Sequence, residues 1–302
     1  MISLITGNNS FAIREYINHL AAKYDEHAIT KSDGLELAID NLPELLEGTN
    51  LFARQRLVVI KEASANKQVW EALNDYLPRV SEDIELILVE AAPDKRTKTY
   101  KALQKLAKVR DFPDLNEQQA REWVIEKVKA DDQNILPSDA THLVDRVGID
   151  QWHLHHELDK LLLLKDTTSE RINEVVEATP HANVFALIDA ALAGQTERLV
   201  KQLRGLETEA EPYKLFGLLA SQVFQLALLS SDKTKSPEIV AKEIGSHPYP
   251  LKKLRPLASR LTANEVRQIV IIVAELDNQL KTSFGEPWLL IERALLKISS
   301  LR

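Results

Sequence analysis

Several stretches of this 302-residue chain combine residue types whose spacing could do chemistry. The first is Gly7-Asn8-Asn9-Ser10-Phe11-Ala12-Ile13, which follows the apolar run Ile2–Ile5. A strand, a glycine and then a helix start is where backbone N–H groups can cradle phosphates. A working loop of that kind reads G-x-x-x-x-G-K-[ST], with the lysine pairing the phosphates and the hydroxyl holding magnesium. Here Gly7 has neither a second glycine nor a lysine behind it, and Phe11 and Ile13 occupy space the loop needs. The apolar run Ile84–Val89 ends in Glu90-Ala91-Ala92-Pro93, with no adjacent Asp-Glu pair to organise a metal. The layout is that of a nucleotide-binding fold without the side chains for hydrolysis.

The eight histidines raise metal binding, chiefly through Trp152-His153-Leu154-His155-His156-Glu157. On a helix His153 and Glu157 share a face. A zinc site needs a closed ligand shell, whereas a solvated face with Trp152 and Leu158 turned inward needs nothing more, and it is the favoured reading. No Gly-x-Ser-x-Gly motif occurs, and with no cysteine there is neither a disulfide nor a thiolate ligand. The stretch Gly48-Thr49-Asn50-Leu51-Phe52-Ala53-Arg54-Gln55-Arg56 places two large apolar side chains in a polar loop context. Leu51 and Phe52 either cap the core where a helix meets a sheet, or form an exposed plug for a partner's pocket. The run from Asp94 to Arg110 holds seven basic residues and one acid, with Lys98, Lys101, Lys105 and Lys108 at helical spacing. That stripe is either a solvated face or an edge that meets phosphate or a partner. A second basic group is Lys252, Lys253, Arg255 and Arg260.

These residues need elements to position them. Strands are expected at Ile2–Ile5, His27–Thr30, Leu57–Ile60, Ile84–Val89 and Val109–Phe112, the third and fourth as continuous apolar runs suited to burial on both faces. Helices are expected between them: from Ser10, through Leu35 to Leu46, over Val69–Leu77 and over Thr97–Ala107. Such alternation predicts a parallel sheet covered on both faces. After Pro113 only helices are expected. Four start near Asn116, Pro137, Asp150 and Ser169, each with a capping residue or a first-turn proline. Seven more run from Val184 to Ile298, and Ser230–Pro237 reads as a mobile loop.

The fold class is therefore α/β plus all-α, with residues 1–114 as the α/β domain, 115–180 as a small helical lid and 181–302 as an all-helical domain. Composition agrees, with 44% hydrophobic and 27% charged residues. The net charge of −7 argues against a protein that coats nucleic acid over its whole surface. Residues 1–114 carry 15 basic and 18 acidic side chains, residues 115–180 carry 7 and 14, and residues 181–302 carry 16 and 13. The last third is thus best suited to approach phosphate. No apolar stretch is read as long enough to span a membrane, and no basic flank marks the N-terminus. A cytoplasmic protein is expected.

The order of these features resembles the delta-subunit family of the bacterial DNA polymerase III clamp loader, over essentially the whole length. The resemblance is carried by Leu4–Asn8, Asn50–Ile60 and Asp94–Lys98, then by Arg146-Val147-Gly148 before Leu158–Leu161. It continues in Asn183–Ala190 with Ala193-Gly194, in Glu211-Pro212, and in Asp277 through Leu280-Lys281. It implies a degenerate AAA+-type module without a functional phosphate loop, a helical lid and a C-terminal collar that mediates oligomerisation. It further implies a non-catalytic subunit that binds and opens a sliding clamp beside ATPase and delta-prime subunits, with primer-template DNA entering the assembled complex. The family's clamp-contacting pair falls on Leu51 and Phe52, which favours the plug. Lys95, Arg96, Lys98 and Phe284 are candidate DNA or partner contacts. For Phe284, stacking on a base and burial in the core both remain open. No cofactor or metal is assigned. The related ATPase and delta-prime subunits typically carry a cysteine-ligated zinc module, which a cysteine-free chain cannot build. Some delta subunits have a short leader before the first strand, and this chain is expected to work without one. The alternatives are an AAA+-like scaffold or an atypical ATPase subunit of another DNA-maintenance complex.

Overall fold

The structure, a computed structural model, describes residues 1–48, 55–208 and 210–301. They form two compact units, Met1–Leu115 with Ile149–His155, and Asn116–Gly148 with His156–Arg302.

The first unit is built on five parallel strands: β1 (Ile2–Thr6), β2 (Ile29–Asp33), β3 (Arg56–Lys61), β4 (Ile84–Glu90) and β5 (Lys108–Asp111), ordered β2-β3-β4-β1-β5. Successive side chains of a strand point to opposite faces, and both faces here are apolar. Leu4, Val58, Ile60, Leu86 and Leu88 pack with α2 (Leu42–Leu46), α3 (Lys67–Tyr76) and α4 (Lys98–Leu106). Ile5, Leu57, Val59, Ile87 and Val89 pack on Ile13, Ile17 and Leu20 of α1 (Ser10–Ala21). Burying each such side chain stabilises by about 1.5–3 kcal/mol, so the two continuous apolar runs become the middle of the sheet.

Two local expectations fail here. The helix expected from Leu35 is confined to Leu42–Leu46, and Leu35 is exposed. Gly34 donates to the Lys61 carbonyl, and a Cβ on it would lie 2.3 Å from Ala63 Cα, so the chain turns where the helix was expected to begin. The lysine stripe breaks at Lys108, because α4 ends at Leu106 and Lys108 opens β5.

The second unit is helical. It contains α5 (Glu117–Ala130), α6 (Pro137–Val147), the body of α7 (Gln151–Leu164), α8 (Ser169–Val175) and α9 (Pro180–Leu192). It continues with α10 (Thr196–Leu206), α11 (Pro212–Ser231), α12 (Pro237–Ile244), α13 (Pro248–Arg260), α14 (Ala263–Thr282) and α15 (Pro287–Ser299). Asn116 and Gln119 form a capping box on α5, as Thr262 and Glu265 do on α14, satisfying otherwise orphaned N–H groups. Helix α11 corrects the statement that no apolar stretch reaches membrane-spanning length: its 20 residues pass that test by length and composition. Its Leu215, Leu219, Val223, Leu226 and Leu229 instead enter the core shared by α9–α15. Residues 232–236 form a loop, as expected, and polar contacts link it to α13 and its end. Lys233 Nζ donates to the carbonyls of Ser259 and Leu261, and Arg255 donates to those of Leu229 and Lys233.

Candidate functional site

The junction between β1 and α1 is the place to test for phosphate binding. Gly7 has φ +106°, and a Cβ on it would lie 2.1 Å from the Phe112 carbonyl oxygen, so only glycine fits. Three N–H groups at the start of α1, those of Asn9, Ser10 and Ala12, already meet internal acceptors. Asn9 N donates to Phe112 O at 3.0 Å and Ser10 N to Asn8 O at 2.9 Å. The Asn9 side chain accepts from Ala12 N at 3.0 Å, a standard N-cap. Its Nδ2 also donates to Gln151 Oε1 at 2.5 Å, in a site where Asn9 and Gln151 are each 7% exposed. Next to it Trp152 Nε1 donates to Ser10 Oγ at 2.9 Å, and the rings of Phe11 and Trp152 meet edge to face at 4.9 Å. The start of α7 thus lies on the start of α1, bringing a neutral amide and an indole against its first turn.

The strand ends beside this junction carry two carboxylates. Glu90, at the end of β4, is fully buried and accepts from Ser64 N at 3.2 Å. Burial pushes its carboxyl above the ordinary range, the Ser64 hydrogen bonds oppose this, and nearby Glu62 adds to it. Glu62 follows β3 in a left-handed conformation, φ 53°, and accepts from Ala91 N at 3.4 Å. The sequence shows no acid pair within one strand end; the sheet brings a pair together across two.

Leu51 and Phe52 lie outside the described residues. The described flanks are close together: Arg56 Nη1, at the start of β3, donates to Gly48 O, just after α2, at 2.8 Å. Leu46 and Leu57 on either side are fully buried.

Lys95, Arg96 and Lys98 are all exposed at the entrance to α4. Arg96 is engaged by Asp94, with Nη2 to Oδ2 at 2.8 Å, and those hydrogen bonds hold the Asp94 carboxyl down at about 2. Thr97 caps α4 and accepts from Trp70 Nε1 at 3.1 Å, which fixes this loop on the sheet's helical layer. Phe284, between α14 and α15, is fully exposed, which removes the core alternative. The histidine-rich turn is divided among local partners. His153 lies 3.5 Å from Asp150 and Glu157 2.5 Å from Lys160, and no cluster of three potential metal ligands occurs among the described residues.

Sequence reasoning missed Gln151 as the partner of Asn9. The two are 142 positions apart, and the only local signal was a tryptophan just after the helix-opening Asp150.

Comparison with known proteins accounts for both ends of the chain. Residues 4–112 match the family model "DNA polymerase III, delta subunit", and residues 181–298 match "DNA polymerase III delta subunit, C-terminal domain". The DNA polymerase III subunit delta of Bacillus subtilis is 26% identical over 213 residues, which span 68% of this chain and 61% of the relative. The solved structure of the Bacillus subtilis DNA clamp loader delta protein superposes with TM-score 0.76 at 20% identity, covering 99% of this chain and 95% of that one. That likeness establishes the same fold, a parallel α/β unit joined to a helical region. With two models of one subunit matching its two ends in the right order, the chain belongs to the DNA polymerase III delta subunit family.

Proposed function

We propose that this chain is a non-hydrolysing clamp-loader subunit that binds and opens the sliding clamp, so that the ring can be loaded on primed DNA for processive replication. The observation that carries the non-hydrolysing part is the engaged start of α1, where Asn9, Ser10 and Ala12 N–H groups meet internal acceptors and no lysine follows Gly7. Residues 1–114 act as the clamp-binding module, residues 115–180 as a lid, and residues 181–302 as the collar that joins the ATPase and delta-prime subunits. Leu51 and Phe52 enter an apolar pocket of the clamp. Lys95, Lys98 and the exposed Phe284 are available to primer-template DNA or a partner. The complex works in the cytoplasm.

Opening follows from differential affinity: the chain shifts the ring only by binding its open form better than its closed form. The test compares affinity for a clamp whose subunit interface has been broken with affinity for one cross-linked shut. At least about tenfold tighter binding to the broken ring is expected, equivalent to about 1.4 kcal/mol. Equal affinities would refute opening while leaving clamp binding intact.

A further inference from the structure

Three carbonyls in the last turn of α6 accept from beyond that helix. Tyr249 Oη of α13 donates to Val144 O at 3.5 Å, Lys253 Nζ to Asp145 O at 3.4 Å, and Thr179 N to Arg146 O at 2.9 Å. The Asp145 and Arg146 carbonyls are among those a helix end leaves without intrahelical partners, whereas Val144 O also accepts from the capping Gly148 N at 2.8 Å. An ammonium there also meets the negative end of the helix dipole. Lys253 makes the strongest of these ties. Its Nζ lies 2.9 Å from Asp145 Oδ1, 5.3 Å from the Tyr249 ring centre and 5.8 Å from that of Phe185 in α9, with the side chain only 19% exposed. The apolar core of α9–α15, by contrast, draws no buried residue from α5–α8 among the described residues. Here α6 is therefore tied to α13 by polar groups.

We propose that Lys253 is a latch, a removable charged tie that holds α6 on α13 and lets α5–α8 swing away from α9–α15 without opening the collar core. An apolar joint would lose buried area on every excursion. A charged joint at a partly hydrated site exchanges one set of hydrogen bonds for another with water. Arg146 supports the hinge side of the same turn, donating through Nε to Val176 O at 2.6 Å in the segment that leads into α9.

The 302-residue chain lacks cysteine, so Ser138→Cys in α6 and Arg260→Cys in α13 give two unique spin-label sites. Pulsed electron spin resonance then reads the distance distribution between them. Lys253→Met is expected to broaden that distribution roughly twofold, while Lys253→Arg stays close to the parent. A Lys253→Met distribution as narrow as the parent's would overturn the latch, as would Lys253→Arg broadening as much as Lys253→Met. If Lys253→Met does not fold, the parent labels are read from about 0.05 to about 1 M salt, where screening should broaden the distribution. An unchanged distribution there also overturns the proposal.

Discussion

Asn9 meets Gln151 amide to amide with both residues almost wholly buried, whereas Lys253 meets Asp145 as an ion pair with the Asp145 side chain 48% exposed. Each contact ties together segments more than 100 residues apart in sequence. The first is neutral and dry, so it responds little to salt or pH, and breaking it leaves a polar group stranded in low dielectric. The second is charged and reachable by water, so its strength falls with screening. The difference teaches which joint is built to stay and which can move. The start of α1 is tied down with uncharged groups, and the helical joint is closed with charges that water can replace.

The sharpest way to break this comparison is Asn9→Ala. It removes an N-cap, worth about 1 kcal/mol, and leaves the buried Gln151 amide without its partner, about 1–3 kcal/mol more. Urea unfolding should therefore show a loss of about 2–4 kcal/mol that is the same at low and high salt. A loss that shrank with salt would mean the joint is not the neutral one described.

Lys253→Met should cost less, about 1 kcal/mol at low salt, and progressively less as salt rises. A salt-independent loss for Asn9→Ala beside a salt-dependent one for Lys253→Met, read in the same unfolding experiment, is the expected outcome. A salt-independent Lys253 effect would instead assign the residue to apolar packing by its stem.

The smallest effect is expected at Glu90. Its folded pKa lies above the ordinary 4.5, so its favourable contribution is complete below about pH 4.5 and is lost as pH rises through the higher folded value. Glu90→Gln, which keeps an acceptor for Ser64 N, should stabilise the chain at neutral pH, and the gain should vanish on acidification. A gain that persisted at low pH would show that packing, not ionisation, separates the two side chains.

Much of the fold was legible because its cause is local. Residues Leu57–Ile60 and Ile84–Val89 are apolar at every position except Glu85, which only strands covered on both faces require. Helix starts announced themselves through Asn116 and Pro137. What was not legible depends on approach in space. Leu35 has a helical apolar period but follows Gly34, whose contact with Ala63 forces a turn. Lys108 continues a lysine period yet opens a strand that pairs with β1. The Glu62–Glu90 pair and the Asn9–Gln151 and Lys253–Asp145 ties join residues 28, 142 and 108 positions apart, and no short motif encodes such a meeting. The missing lysine after Gly7 was visible at once, but the docking of Gln151 and Trp152 on the start of α1 was not.

The proposed function rests most heavily on Leu51 and Phe52, and binding to the sliding clamp tests them most directly. The parent chain and the Leu51→Ala/Phe52→Ala variant should be titrated with the clamp of the same organism, after unfolding curves establish that the variant is folded. Removing an apolar anchor pair at a hot spot should cost about 2–4 kcal/mol, roughly thirtyfold or more in affinity. Equal binding by parent and variant would contradict the plug and move the clamp contact elsewhere on the chain. Failure of the parent itself to bind would contradict the clamp-opening account as a whole.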